Sequence, residues 1–127
     1  MADYSVHTTT RLVIVLSGHQ ARTLCDQRNV TPITPIVISG AALEMVLRRM
    51  CEAADCMPPK GSIETYGSKL YRAKLLSKED LGQVQANGKL RNAAAHGTDS
   101  AAISIPNARL MIESVLLFIS GSETDTA

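Results

Sequence analysis

The sequence predicts an all-α protein, an antiparallel bundle of four to five helices forming one domain. Three observations carry this expectation. Apolar residues recur at the i, i+3, i+4, i+7 spacing of a single helical face in two long segments, Leu43 to Ala54 and Ala108 to Ile119. Helix start signals precede several of the periodic segments. Aromatic side chains are scarce, with no Trp, one Phe and three Tyr, so the core must be aliphatic and Ala-rich. Such a core suits closely packed helices better than a sandwich of sheets. A chain of 127 residues is the size of one domain. Its 45% hydrophobic and 20% charged content belongs to a globular protein.

The first segment is the least distinctive. Leu12-Val13-Ile14-Val15-Leu16 is β-branched and compatible with a buried strand, but every later segment reads as helix. A long first helix from about Ser5 to Asn29 is therefore expected. Thr34-Pro35 predicts the next start, with Thr as N-cap and Pro at the first helical position, where its missing N–H costs nothing. Leu43, Val46, Leu47, Met50, Cys51 and Ala54 form the buried stripe of this helix. Glu44, Arg48 and Glu52 stand i, i+4 apart on the other face and support it by a few tenths of a kcal/mol per pair. Met57-Pro58-Pro59-Lys60-Gly61 closes the helix in a loop.

Ser62 is expected to cap a short helix with an apolar side of Ile63, Tyr66 and Leu70. Ser77 followed by Asp80 starts the next, with Leu76 and Leu81 at the two positions of a hydrophobic staple. That helix spans about 78 to 96, and Gly97 is its natural stop. Thr98 to Ser104 is a turn. A last helix from Ile105-Pro106 to near Gly121 buries Ala108, Met111, Ile112, Val115, Phe118 and Ile119. The expected organisation is one helical domain over residues 1–121 and a flexible polar tail over 122–127.

Three cysteines, Cys25, Cys51 and Cys56, make an odd count without a Cys-x-x-Cys pair, so neither a disulfide framework nor a zinc site is expected. No signal peptide is visible, and Leu12 to Leu16 is too short to span a bilayer. A soluble, cytoplasmic protein without a membrane partner is the expectation. The net charge of +1 provides no global basic field, so any nucleic-acid contact must rest on a local patch. Nine of the thirteen basic side chains fall between Arg48 and Arg91, against six acidic ones from Glu44 to Arg91. This mild excess permits RNA contact without arguing for it.

The stretch with chemical content is Leu90-Arg91-Asn92-Ala93-Ala94-Ala95-His96-Gly97. Asn92 and His96 are i, i+4 and share a helix face, while Arg91 lies about 140° from His96 around the axis. The two can meet over one ligand only if the helix distorts or ends near His96, and Gly97 predicts an end there. A His in the last turn sits at the negative pole of the helix dipole, which favours imidazolium. Arg91 offers a permanently charged planar fork suited to phosphate oxygens. A cationic Arg beside a titratable His fits phosphoryl transfer at RNA without a metal, in which the 2′-hydroxyl attacks the adjacent phosphate. The scheme needs both a base and an acid, whereas one chain offers a single well-placed His. A twofold dimer doubles the set across an isologous interface.

The pattern resembles the signature of HEPN domains, in which Arg is followed by a polar residue, three more and His. The likeness extends to the preceding amphipathic helix, the loop and the Leu75-Leu76-Ser77-Lys78-Glu79-Asp80-Leu81 turn into the motif helix, covering roughly residues 35–120. The resemblance implies a metal-independent endoribonuclease with a composite site in a homodimer, acting as a toxin or defence effector held in check by an antitoxin or regulatory protein. Arg91 and His96 would be catalytic, with Asn92 supporting, and neither a cofactor nor a metal would be required. Apart from the resemblance, Lys89, one turn from the motif, is a candidate for holding RNA phosphates, against the plainer reading of a solvated Lys. Some members carry a modifiable Tyr two residues after the His; Thr98 stands there, so that form of control does not carry over. Many HEPN domains are noncatalytic, so a dimerisation or nucleotide-binding module is the alternative. Gly88, Ala93, Ala94 and Ala95 present small side chains, as close approach of a second copy would need, although tight packing within one chain explains them as well.

Overall fold

A computed structural model describes residues 19–26, 31–97 and 101–124, with side chains as far as residue 121. These residues form helices and connecting turns without a strand. Helix α1 is described over residues 19–26. It is followed by α2 (Ile33–Ala53), α3 (Ile63–Arg72), α4 (Lys78–His96) and α5 (Ile105–Thr124). Leu12 to Leu16, expected in the first helix, and Thr98 fall outside the described residues.

Helix α2 is central and packs against α3, α4 and α5. Its buried stripe of Ile36, Leu43, Val46, Leu47 and Cys51 meets Ile63, Tyr66 and Leu70 of α3, Val84 of α4, and Met111, Ile112 and Val115 of α5 in one core. The neighbouring registers run in opposite senses. Asp26 pairs with Arg109 while Arg22 pairs with Glu113, so α1 and α5 are antiparallel. Gly67 lies against Val84 while Gly88 lies against Ile63 and Glu64, so α3 and α4 are antiparallel too.

Two helix boundaries differ from the expected ones. α2 begins at Ile33, with Pro32 rather than Thr34 as its N-cap. Pro32 has no side-chain acceptor, and the Thr31 hydroxyl accepts from Ile33 N–H at 3.1 Å instead. Pro35 is then the third helical residue, still within the first turn, where no intrahelical acceptor awaits its N–H. At the other end of the chain, α5 continues through Gly121 to Thr124, three residues beyond the predicted end. Ser104 starts this helix by accepting from Asn107 N–H at 3.2 Å.

The remaining ends follow the sequence closely. Ser62 and Thr65 cap α3 reciprocally, each side chain accepting from the other's backbone N–H. Ser77 accepts from Asp80 N–H at 3.0 Å and starts α4 at Lys78. α2 and α3 both close with a pair of backbone bonds, Cys56 N–H to Cys51 O with Asp55 N–H to Glu52 O, and Leu75 N–H to Leu70 O with Lys74 N–H to Tyr71 O. This is the Schellman arrangement, and it places Asp55 and Lys74 at φ 53° and 63° without a glycine at either position.

Candidate functional site

Helix α4 is poor in large apolar side chains and is held to its neighbours through small residues and polar contacts. Val84, Asn87, Gly88 and Ala94 are its buried positions. Asn87 donates to the Ser114 hydroxyl of α5 at 3.0 Å. Gly67 of α3 leaves room for Val84, and Gly88 of α4 leaves room for Ile63 and Glu64. The backbones of α3 and α4 therefore approach closely where the motif begins.

Arg91 points from α4 toward α2. Its aliphatic stem lies against Gly40, which is buried; any side chain there would occupy the position of Arg91 Cγ. One turn along α2, Glu44 Oε2 stands 3.8 Å from Arg91 Nη2, with both side chains 35% exposed. That separation makes an ion pair without a hydrogen bond, and at this exposure it is worth at most about 1 kcal/mol. Arg91 Nε is buried with no hydrogen-bond partner among the described residues. Glu44 was expected in an i, i+4 series with Arg48 and Glu52, but only Arg48 and Glu52 pair, at 3.0 Å. Proximity of Glu44 to Arg91 comes from the packing of α2 on α4, which local spacing does not reveal.

Asn92 turns toward α3. Its Nδ2 donates to Glu64 Oε1 at 3.1 Å. The amide therefore neither satisfies the helix end nor reaches His96. Glu64 was missing from the sequence expectation; the pairing depends on the antiparallel register of α3 and α4.

His96 is the last residue of α4 and is exposed. Gly97 stops the helix in the left-handed conformation at φ 68°, with its N–H on Ala93 O. The register explains the exposure. Glu64 sits level with Asn92, and α3 begins at its cap Ser62 only two residues earlier, so His96 projects one turn beyond the reach of α3. His96 makes no hydrogen bond or ion pair among the described residues. Lys89 is likewise exposed and unpaired among them.

Arg91 and Asn92 are thus bound into the bundle by two glutamates from two helices, whereas His96 is displayed at its end. The small-residue surface divides between two uses. Gly88 packs on α3 and Ala94 is buried in the core of the chain itself, so neither is open to a second copy. Ala93 is half-buried and Ala95 is exposed.

No protein-family model, curated protein or solved structure matches this chain. Among the described residues no group of three or more His, Cys, Asp or Glu side chains is gathered as a metal site, and no helix is long and apolar enough to cross a membrane.

Proposed function

We propose that the protein is a HEPN-type endoribonuclease that cleaves RNA without a metal, with Arg91 and His96 as its working side chains and Asn92 as a support. The observation that carries this reading is the division of labour on α4. Arg91 is pre-set against Gly40 with its guanidinium partly exposed, and His96 stands free at the helix end five residues on. A positioned guanidinium neutralises the charge that gathers on phosphate oxygens, and a solvent-accessible imidazole is suited to moving protons. Attack of the 2′-hydroxyl on the adjacent phosphate also needs a second proton-transfer group. In a homodimer the second copy's motif supplies one, and exposed Ala95 beside His96 is compatible with such an approach. Lys89 adds an unpaired cation for a neighbouring phosphate. An uncontrolled nuclease of this size would need restraint by an antitoxin or regulatory partner, which fits toxin or defence biology.

The test is cleavage of RNA by purified protein in EDTA. Products ending in a 2′,3′-cyclic phosphate or its hydrolysis product, lost in Arg91→Ala and His96→Ala, support the reading. Cleavage that vanishes on chelation of metals sinks it.

A noncatalytic dimerisation or nucleotide-binding module is the second reading, and one observation favours it. Arg91 and Asn92 both engage carboxylates of their own chain, so the motif already has work within the fold. Intact RNA with both the parent and His96→Ala proteins, together with equal effects of the two on cells, would decide for the module.

A further inference from the structure

We propose that Glu44 is the general base of the ribonuclease reaction, taking the role that the reading above leaves to a second copy's motif. This inference rests on the ribonuclease reading above.

Three observations single out Glu44. Of the five described ion pairs, four close to between 2.5 and 3.3 Å, whereas Glu44 and Arg91 stay 3.8 Å apart. The Glu44 carboxylate accepts no hydrogen bond among the described residues, so its lone pairs remain free. Its helix neighbour Arg48, four residues on and able to reach it, pairs with Glu52 instead. The result is a carboxylate, one-third exposed, standing beside a phosphate-binding cation without being consumed by it.

The reaction needs that placement. A phosphodiester whose non-bridging oxygens rest on the Arg91 fork has the 2′-hydroxyl of the preceding ribose close to its reacting centre. A carboxylate oxygen 3.8 Å from the guanidinium stands next to a phosphate held there. Glu44 takes the 2′-hydroxyl proton as that oxygen bonds to phosphorus. The bond from phosphorus to the 5′-oxygen breaks, and the leaving oxygen takes a proton from His96. The products are a 2′,3′-cyclic phosphate and a 5′-hydroxyl, with no oxidant or co-reactant. His96 lies five residues along α4, about 7.5 Å along the axis.

The experiment uses full-length protein and a short RNA oligonucleotide in EDTA under single turnover, with Glu44→Gln, Glu44→Asp and His96→Ala compared. Glu44 is partly exposed, and circular dichroism checks that each variant is folded. Glu44→Gln is expected to lose about 10²–10⁴-fold in rate, with unchanged affinity for an oligonucleotide carrying 2′-deoxyribose at the cleavage position. Glu44→Asp retains part of the rate. A substrate with sulfur in place of the leaving 5′-oxygen needs no proton from an acid; it restores His96→Ala but leaves Glu44→Gln slow.

Wild-type cleavage with Glu44→Gln within a few-fold of it overturns the assignment and leaves the ribonuclease reading standing. So does restoration of Glu44→Gln by the sulfur substrate. A loss of affinity that matches the loss of rate also overturns it, because Glu44 would then only place Arg91. If wild-type protein cuts no RNA in EDTA, the ribonuclease reading falls and the base with it.

Discussion

The carboxylate of Glu64 fills the space beside Gly88 and accepts a 3.1 Å hydrogen bond from Asn92, one turn further along α4. One side chain of α3 thereby reads two successive turns of α4 and sets the register between the helices. A hydrogen bond to a charged group is worth about 1.5–3 kcal/mol when buried, and partial exposure of this pair puts it at or below the lower end. Asn92→Ala and Glu64→Ala should each destabilise the fold, and together by less than their sum. A double-mutant cycle in urea should return a coupling of about 0.5–1.5 kcal/mol. A coupling of zero would mean the contact is incidental to stability.

Four backbone positions separate stabilising from damaging changes. Gly82 is exposed within α4 with open space where a methyl group would project, so Gly82→Ala should add about 0.5–1 kcal/mol through lost unfolded-state freedom. Lys74 is held at φ 63° after α3, and Lys74→Gly should add about 1 kcal/mol by removing the cost of the left-handed conformation. Gly40→Ala and Gly88→Ala act in the opposite direction, because a Cβ at 40 would meet Arg91 Cγ, and one at 88 would press on Ile63 and push the Glu64 carboxylate off its Asn92 hydrogen bond. Denaturant midpoints of the four variants should rise for the first two and fall for the others.

Ala94 and Ala95 are adjacent yet should respond differently to a bulky residue. Ala94 is buried in the core, so Ala94→Phe overpacks it at about 1–3 kcal/mol whatever the oligomeric state. Ala95 is exposed, so Ala95→Phe should leave monomer stability nearly unchanged. If a second copy docks beside His96, Ala95→Phe weakens association measured by sedimentation at micromolar protein. Sedimentation identical to wild type would place any dimer contact elsewhere.

Burial pushes the Cys51 thiol up to about 12, helped by the neighbouring Cys56 side chain and opposed by Lys69. Burial likewise raises Cys25. In native protein near pH 8 a thiol reagent should therefore label Cys56 quickly and the other two only as the chain unfolds. The stability held by the neutral Cys51 thiol is complete below pH 9, its ordinary value, and is lost as pH rises from there toward about 12. Rapid labelling of all three thiols in folded protein would contradict this packing.

The all-α architecture, the starts of α3 and α4, the stop of α4 and most of the buried stripes of α2 and α5 were legible in the residues themselves, whereas Ala54, expected in the α2 stripe, is exposed at the C-cap. They depend on neighbours three or four positions apart and on local caps such as Ser62, Ser77 and Gly97, whose partners lie within the same turn. The start of α2 falls two residues before the expected one, Ile33 instead of Pro35, because Thr31 and Thr34 both precede a tolerable proline arrangement and only backbone geometry chose between them. The surroundings of Arg91 and Asn92 were not legible. Glu44 and Glu64 lie 47 and 28 positions away in the chain, and nothing in their local spacing distinguishes them from solvated helix charges. Their partners were decided by the packing of α2 and α3 on α4, through close approaches at Gly40 and Gly88. The sequence by itself determined which segments are helical and where the Arg–His pair falls on one of them. Only the tertiary structure decided that carboxylates from two other helices hold its first half and leave His96 free, because those contacts exist only once three helices pack at fixed register.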